Sequence, residues 1–261
     1  MTTWGAGDYP RMAHQLEPAA LAAVEAAAVA SGDRVLDVAT GTGNAALIAA
    51  QRGGQVVAVD FETALLRVAE RRAREARHEV RWLTGDVTAL PLPDESADVV
   101  LSVFGVMYSA DHIAAARELA RVAAPRARVA LASWAPGSMM PAMGQVLGAY
   151  LPPPPASTGP PSRWGDPDGL VALLEPCGLD LISASTRRVT LQFPDVTAAV
   201  DFLVRTAGHI VSKQRKLTEE GRWDDLHQDL STFVEERAEH RDDHLDLALN
   251  YLLALAVKAE A

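Results

Sequence analysis

The chain has 261 residues, a formal net charge of −10 and 49 % hydrophobic residues, enough for a sizeable core and too apolar for disorder. An acidic balance of this size argues against a generic nucleic-acid binder, which needs a basic field to neutralise phosphates. The single cysteine, Cys177, rules out a disulfide framework or a cysteine-based zinc site within one chain, and the sequence at Met1 lacks a basic-then-apolar leader, so a cytoplasmic protein is expected.

In chain order, Met12 to Ala30 is Ala- and Leu-rich with helical spacing and is expected to cap one end of a sheet. Five apolar runs follow: Arg34 to Val38, Gln55 to Asp60, Glu79 to Leu83, Ala97 to Val103 and Arg128 to Trp134. They are continuous rather than alternating, as expected of strands covered on both faces. Helical patterns separate them at Asn44 to Gln51, Glu62 to Arg77 and Asp111 to Ala124. This β–α alternation predicts an α/β fold with a doubly wound, mostly parallel, Rossmann-like sheet. Residues 136–178 read as an insertion or lid with one or two short helices. Between Arg128 and Arg163 no residue is charged, but Pro136, Pro141 and Pro152 to Pro155 break the run, so no membrane span is expected. Leu181 to Phe193 alternates like a strand, while Val196 to Ile210 and Glu219 to His240 read as helices. Leu247 to Val257 is ambiguous between a helix and a last strand. The whole reads as one domain: residues 1–32 cap it, 33–135 form the ligand-binding core, 136–178 the lid and 179–261 the C-terminal half.

The strongest local feature is Val35-Leu36-Asp37-Val38-Ala39-Thr40-Gly41-Thr42-Gly43-Asn44, a strand running through a glycine-rich turn into a helix. Glycines let backbone approach a ligand, and a helix N-terminus presents unpaired N–H groups. Gly41-x-Gly43-x-x-Ala46 also fits the dinucleotide fingerprint, so an NAD(P)-dependent oxidoreductase is one reading. Asp60, 17 residues beyond Gly43, closes the second strand where a carboxylate can accept from ribose hydroxyls, or cap the following helix. Gly85-Asp86-Val87 follows the third strand. There a carboxylate can accept an adenine amine and the next N–H can donate to the ring, although a Gly-Asp pair is also a common turn.

Together with Gly85 to Val100 and Arg117-Glu118-Leu119-Ala120-Arg121-Val122, these residues resemble the class I S-adenosylmethionine-dependent methyltransferases, in the branch that includes ubiquinone/menaquinone-biosynthesis enzymes. The resemblance covers roughly residues 33–135. It implies a seven-stranded sheet whose last strand is antiparallel, and S-adenosylmethionine as cofactor. Ala39, Gly41, Gly43 and Asn44 would wrap its methionine part with Asp37 at the same turn. Asp60 would hold the ribose beside Phe61, Asp86 and Val87 would read the adenine edge, and Ser102 and Val103 would face the sulfonium. Two departures stand out: Ala39 where glycine is common, and Ala124-Pro125-Arg126-Ala127 where the family has Arg-Pro-Gly-Gly.

A small-molecule acceptor is expected in an apolar pocket built from Trp4, Tyr9, Met107, Tyr108, Met139, Trp164 and His209, although the Met and Trp residues could equally pack the insertion onto the core. His112 and Tyr108 are candidate bases. His112 also reads as a surface or capping residue after Asp111, and His209 as a cation late in a helix. No His/Asp/Glu group has metal spacing, so no metal is expected. A methyltransferase-like binding protein without transfer activity is a further reading.

Overall fold

The computed structural model describes residues 4–152 and 159–260. The expected start of the chain, Met1 to Thr3, and most of the proline block, Pro153 to Pro155, lie outside the described residues.

Two helices, α1 (Tyr9–Gln15) and α2 (Glu17–Ala26), precede the first strand. They were expected as one helix. Pro18 explains the break: it is tolerated in the first turn of α2 but would cost about 3 kcal/mol inside a continuous helix. The core then alternates as expected: β1 (Arg34–Val38), α3 (Asn44–Gln51), β2 (Gln55–Asp60), α4 (Thr63–Ala76), β3 (Val80–Thr84), β4 (Ala97–Val103), α5 (His112–Val122) and β5 (Ala123–Trp134). Leu65, Leu66, Ala69 and Ala73 form the buried stripe of α4, and α5 starts where the Asp111 carboxylate accepts from the N–H groups of Ile113 and Ala114.

After β5 come α6 (Met139–Leu147), α7 (Pro167–Leu174), β6 (Leu179–Phe193), α8 (Val196–Thr206), α9 (Gly208–Val211), α10 (Gln214–Glu219), α11 (Trp223–Arg237), β7 (Glu239–His240) and β8 (Leu245–Lys258). The expected helix from Glu219 to His240 is cut by Gly221, whose φ of +68° is left-handed. The ambiguous stretch from Leu247 is a strand. It lies antiparallel between β5 and β6 and is buried along almost its whole length, which is why its sequence does not alternate.

The strand order is β3-β2-β1-β4-β5-β8-β6, with β1 to β5 parallel and the two-residue β7 paired to the start of β8. The sheet thus has eight strands rather than seven, the eighth being this short hairpin arm. The segment Ala124 to Ala127, expected as a turn before the fifth strand, is part of β5. Arg126 takes a φ of +63° there, and the register with β4 shifts between Ala97 and Val99. Among the described residues no helix is long and apolar enough to cross a membrane.

Candidate functional site

The ends of β1, β2 and β4 meet at one edge of the sheet. The turn after β1 needs its glycines: Gly41 has φ +57° and Gly43 φ +85°. A Cβ on Gly43 would sit 2.8 Å from Trp82 and 3.1 Å from Ala69. Ala39, where glycine is common in the family, carries φ +55° with a side chain, an uncommon conformation for a non-glycine residue.

Two buried carboxylates hold the turn. Asp37 Oδ2 accepts from Thr40 Oγ1 at 2.5 Å and from the Ala46 N–H at 3.0 Å. Asp60 accepts from the Gly41 N–H at 2.7 Å with one oxygen and from the Glu62 N–H at 2.8 Å with the other. Asp60 thus pins the turn after β1, a role not expected from the sequence, and its bond to the Glu62 N–H lies just ahead of α4, whose cap position is Glu62 rather than Asp60. Burial pushes Asp37 up to about 7, against its hydrogen bonds, and burial also raises Asp60. Arg72 on α4 ties the same turn to the N-terminal helices. Its guanidinium donates to Thr42 O, Asn44 Oδ1 and Glu17, and Asn44 in turn donates to Ala13 O.

Above the turn lies a cavity lined by Tyr9, Asp37, Ala39, Thr40, Asn44 and Val103, among others. Tyr9, from α1, closes it: a Cβ on Gly41 would meet the Tyr9 ring at 3.5 Å. The next loop packs closely as well. A Cβ on Gly105 would fall 2.5 Å from Ala39 Cβ, and Phe104 takes φ +55° while stacking on Trp134 at 3.7 Å. Phe104 also lines the cavity, a role the sequence did not single out, because neither its left-handed backbone nor its stack leaves a local signal. Ser102 is placed differently from Val103. Its buried hydroxyl donates to Val38 O and accepts from the Val106 N–H, clipping β4's loop to β1.

Around the rim, Phe61 is exposed after β2 and Asp86 after β3. Asp86 Oδ1 accepts from the Thr88 N–H and hydroxyl, shaping the turn that carries Val87. The loop beyond it is pinned by α5. Glu118 accepts from the Leu90 N–H at 2.6 Å, and Arg121 donates to Leu90 O, Leu92 O and Asp94. Two of the sequence blocks that carry the resemblance are thus one hydrogen-bonded unit.

The expected acceptor residues divide into two groups. Trp4, Tyr9, Tyr108 and His209 come together: the Trp4 ring is 5.9 Å from Tyr9, 5.0 Å from Tyr108 and 6.0 Å from His209. Tyr108 is exposed along its ring, yet desolvation around its hydroxyl pushes it up to about 12, partly offset by the Trp134 side chain, and burial, then Tyr108 and Asp60, raise Tyr9 as well. His209 is not late in a helix but second in the four-residue α9. Its Nδ1 is buried with no hydrogen-bond partner among the described residues, and burial lowers its pKa. Met107, Met139 and Trp164 belong instead to the packed interior. His112 is buried at the first position of α5 rather than on the surface, its ring 6.0 Å from Trp164; burial and then Arg163 lower its pKa. Among the described residues no His/Cys/Asp/Glu group could hold a metal ion.

A glycine-rich turn held by two buried carboxylates lies at the carboxyl edge of a 3-2-1-4-5 sheet, the edge at which open α/β sheets bind their ligands. Residues 36–131 match the family described as a methyltransferase domain. An uncharacterised protein of Mycobacterium tuberculosis is 36 % identical over 163 residues, 62 % of this chain and 60 % of the relative. The chain therefore spans about 60 % of the length of the first curated relatives it matches. Demethylmenaquinone methyltransferase of Thermus thermophilus is 41 % identical over 116 residues, 44 % of this chain and 53 % of that protein. The YcgJ protein of Bacillus subtilis has a similar fold, with TM-score 0.64 and 19 % identity over 93 % of this chain and 99 % of that one. The chain thus resembles the class I S-adenosylmethionine-dependent methyltransferases, with menaquinone methyltransferases among its relatives.

Proposed function

We propose that this protein transfers a methyl group from S-adenosylmethionine to a small-molecule acceptor. The turn from Ala39 to Gly43, bonded to buried Asp37 and Asp60 and opening on a cavity, is the observation that carries this reading. The residues fit the cofactor. Backbone at Gly41 can approach the methionine part, Asp37 supplies a buried acceptor for an ammonium, and Asp60 stands at the ribose position. Val103 and Phe104 give an apolar wall for the sulfonium side. Asp86 and Val87 lie at the end of β3, where an adenine edge would be read, with Phe61 beside it.

When bound, the cofactor supplies an already activated methyl group. The chain's task is then alignment and exclusion of water, and positioning of this kind can be worth roughly 7–11 kcal/mol. Tyr9, Val103 and Phe104 in the cavity lining suit a small organic acceptor, and the charge of −10 disfavours a polyanionic one.

The test is release of S-adenosylhomocysteine when the protein is incubated with S-adenosylmethionine and a panel of small hydroxyl, amine and carbon acceptors. Wild-type protein releases it with at least one class, and Asp60→Ala does so at a strongly reduced rate. Equal release by both would contradict the reading.

A further inference from the structure

The cavity over the glycine turn lies between two walls. Its floor is the turn, including Thr42 and Asn44; its roof is the N-terminal arm, through Tyr9, Ala13 and Leu16. Arg72 stands outside the cavity, on α4, yet its guanidinium bonds both walls. Nη1 donates to Thr42 O at 2.8 Å and to Asn44 Oδ1 at 2.6 Å, while Nη2 donates to Glu17 Oε1 at 2.8 Å, on the residue directly after Leu16. Asn44, held through its oxygen, turns its amide onto Ala13 O. Thr42 is buried, and Gly43 beside it is wedged against Trp82 and Ala69, so the floor has little room to shift. One planar fork thus spans floor and roof, a geometry that the single ammonium of a lysine does not reproduce. A second arginine also grips α2: Arg52, on the far side, bonds Glu25 at 3.1 Å and is about as buried as Arg72, but this pair lies away from the cavity.

Building on the methyltransferase reading, we infer that Arg72 is a positioning residue for the cofactor, fixing the spacing between roof and floor at which the methionine part is gripped. It touches no ligand atom and acts through Thr42, Asn44 and Glu17. Without it the roof stays joined to the body, because the Asp8 N–H still bonds Arg205 O and α2 still buries Ala19, Ala20, Ala23 and Val24. What is lost is the register of the two cavity walls, and a site whose walls must be ordered by the ligand binds it less tightly.

Calorimetric titration with S-adenosylhomocysteine separates this role from a merely structural one. Arg72→Met should weaken binding about tenfold while keeping one site per chain, and Arg72→Lys should recover only part of that loss. Glu17→Gln should weaken binding about threefold in wild type and add nothing in Arg72→Met, since the two side chains act as one clasp. Arg52→Met, which removes an ion pair to the same helix, should bind as wild type does. Loss of sites without loss of affinity in Arg72→Met would make the residue structural and overturn the proposal, as would equal weakening by Arg52→Met or full additivity of Glu17→Gln with Arg72→Met. Should Arg72→Met fold poorly, Glu17→Gln against Arg52→Met makes the same comparison. If wild type binds no S-adenosylhomocysteine, the methyltransferase reading fails. Hydrogen exchange from Thr40 to Asn44 then decides the role of Arg72 alone: faster exchange in Arg72→Met than in Arg52→Met supports it, and equal exchange in the two overturns it.

Discussion

At the scale of single residues, burial raises both Asp37 and Asp60, and each holds part of the glycine turn. Asp60 accepts two backbone N–H groups that nothing else would satisfy. Asp60→Ala leaves both donors stranded and removes the ribose acceptor. Affinity for S-adenosylhomocysteine should fall about tenfold to a hundredfold, and the melting temperature should drop with it, each lost bond costing about 1–3 kcal/mol. Unchanged affinity would show that the ribose lies elsewhere. Asp37 is an acid whose folded-state pKa, about 7, lies above its usual 3.8. The folded state then holds the proton more tightly than the unfolded state. The protonated form's contribution to stability is complete below about pH 4 and is lost as pH rises toward 7. Asn at this position keeps an acceptor for Thr40 and Ala46 without the charge. Asp37→Asn should match wild type near pH 4 and exceed it by a few kcal/mol at most above pH 7. Chemical denaturation across that range checks the sign; a constant difference would contradict it. Both aspartates were legible in the sequence because they sit where strands end. Ala39 was legible as a site residue too, but its left-handed φ and that of Phe104 were not, since such a φ is set by loops packing on each other rather than by residue type.

Among the elements, the loop after β3 and the helix α5 act together. Arg121 holds two carbonyls of that loop and Asp94, with Glu118 bonded to both Arg121 and the Leu90 N–H. Arg121→Ala should cost about 1–3 kcal/mol of stability. It should also speed hydrogen exchange from Asp86 to Asp94, and so weaken adenosine-containing ligands without touching them. Normal exchange in that loop would remove Arg121 from the adenine site. The sequence marked the bounds of the first four strands and the helices between them, where period and burial agree, but not the start of β5, at Ala123 rather than Arg128. It missed breaks that depend on one residue, at Pro18 and Gly221, and could not decide β8, because a strand buried on both faces reads like a buried helix.

For the whole molecule, the parallel half was legible from alternation alone, and its site residues fall on one edge as a consequence. The half after β5 was less so. Insertion residues that looked like pocket walls, Met139 and Trp164, are packed inside, while one ring cluster joins Trp4 and Tyr9 to Tyr108 and His209 from distant parts of the chain. Such convergence depends on tertiary packing and leaves no spacing in the chain. The net charge of −10 also sets an expectation for the intact protein: it should not retard duplex DNA on a native gel at physiological salt, and clear retardation there would contradict a small-molecule acceptor.

The central claim is that the edge formed by Asp37, Gly41 and Asp60 binds S-adenosylmethionine. Calorimetric titration with S-adenosylhomocysteine, and with NAD⁺ and NADP⁺ in parallel, tests it most directly. The account predicts one-to-one micromolar binding of S-adenosylhomocysteine and no heat from either nicotinamide cofactor. Binding of NAD⁺ or NADP⁺ alone would contradict it and make the glycine turn a dinucleotide fingerprint after all.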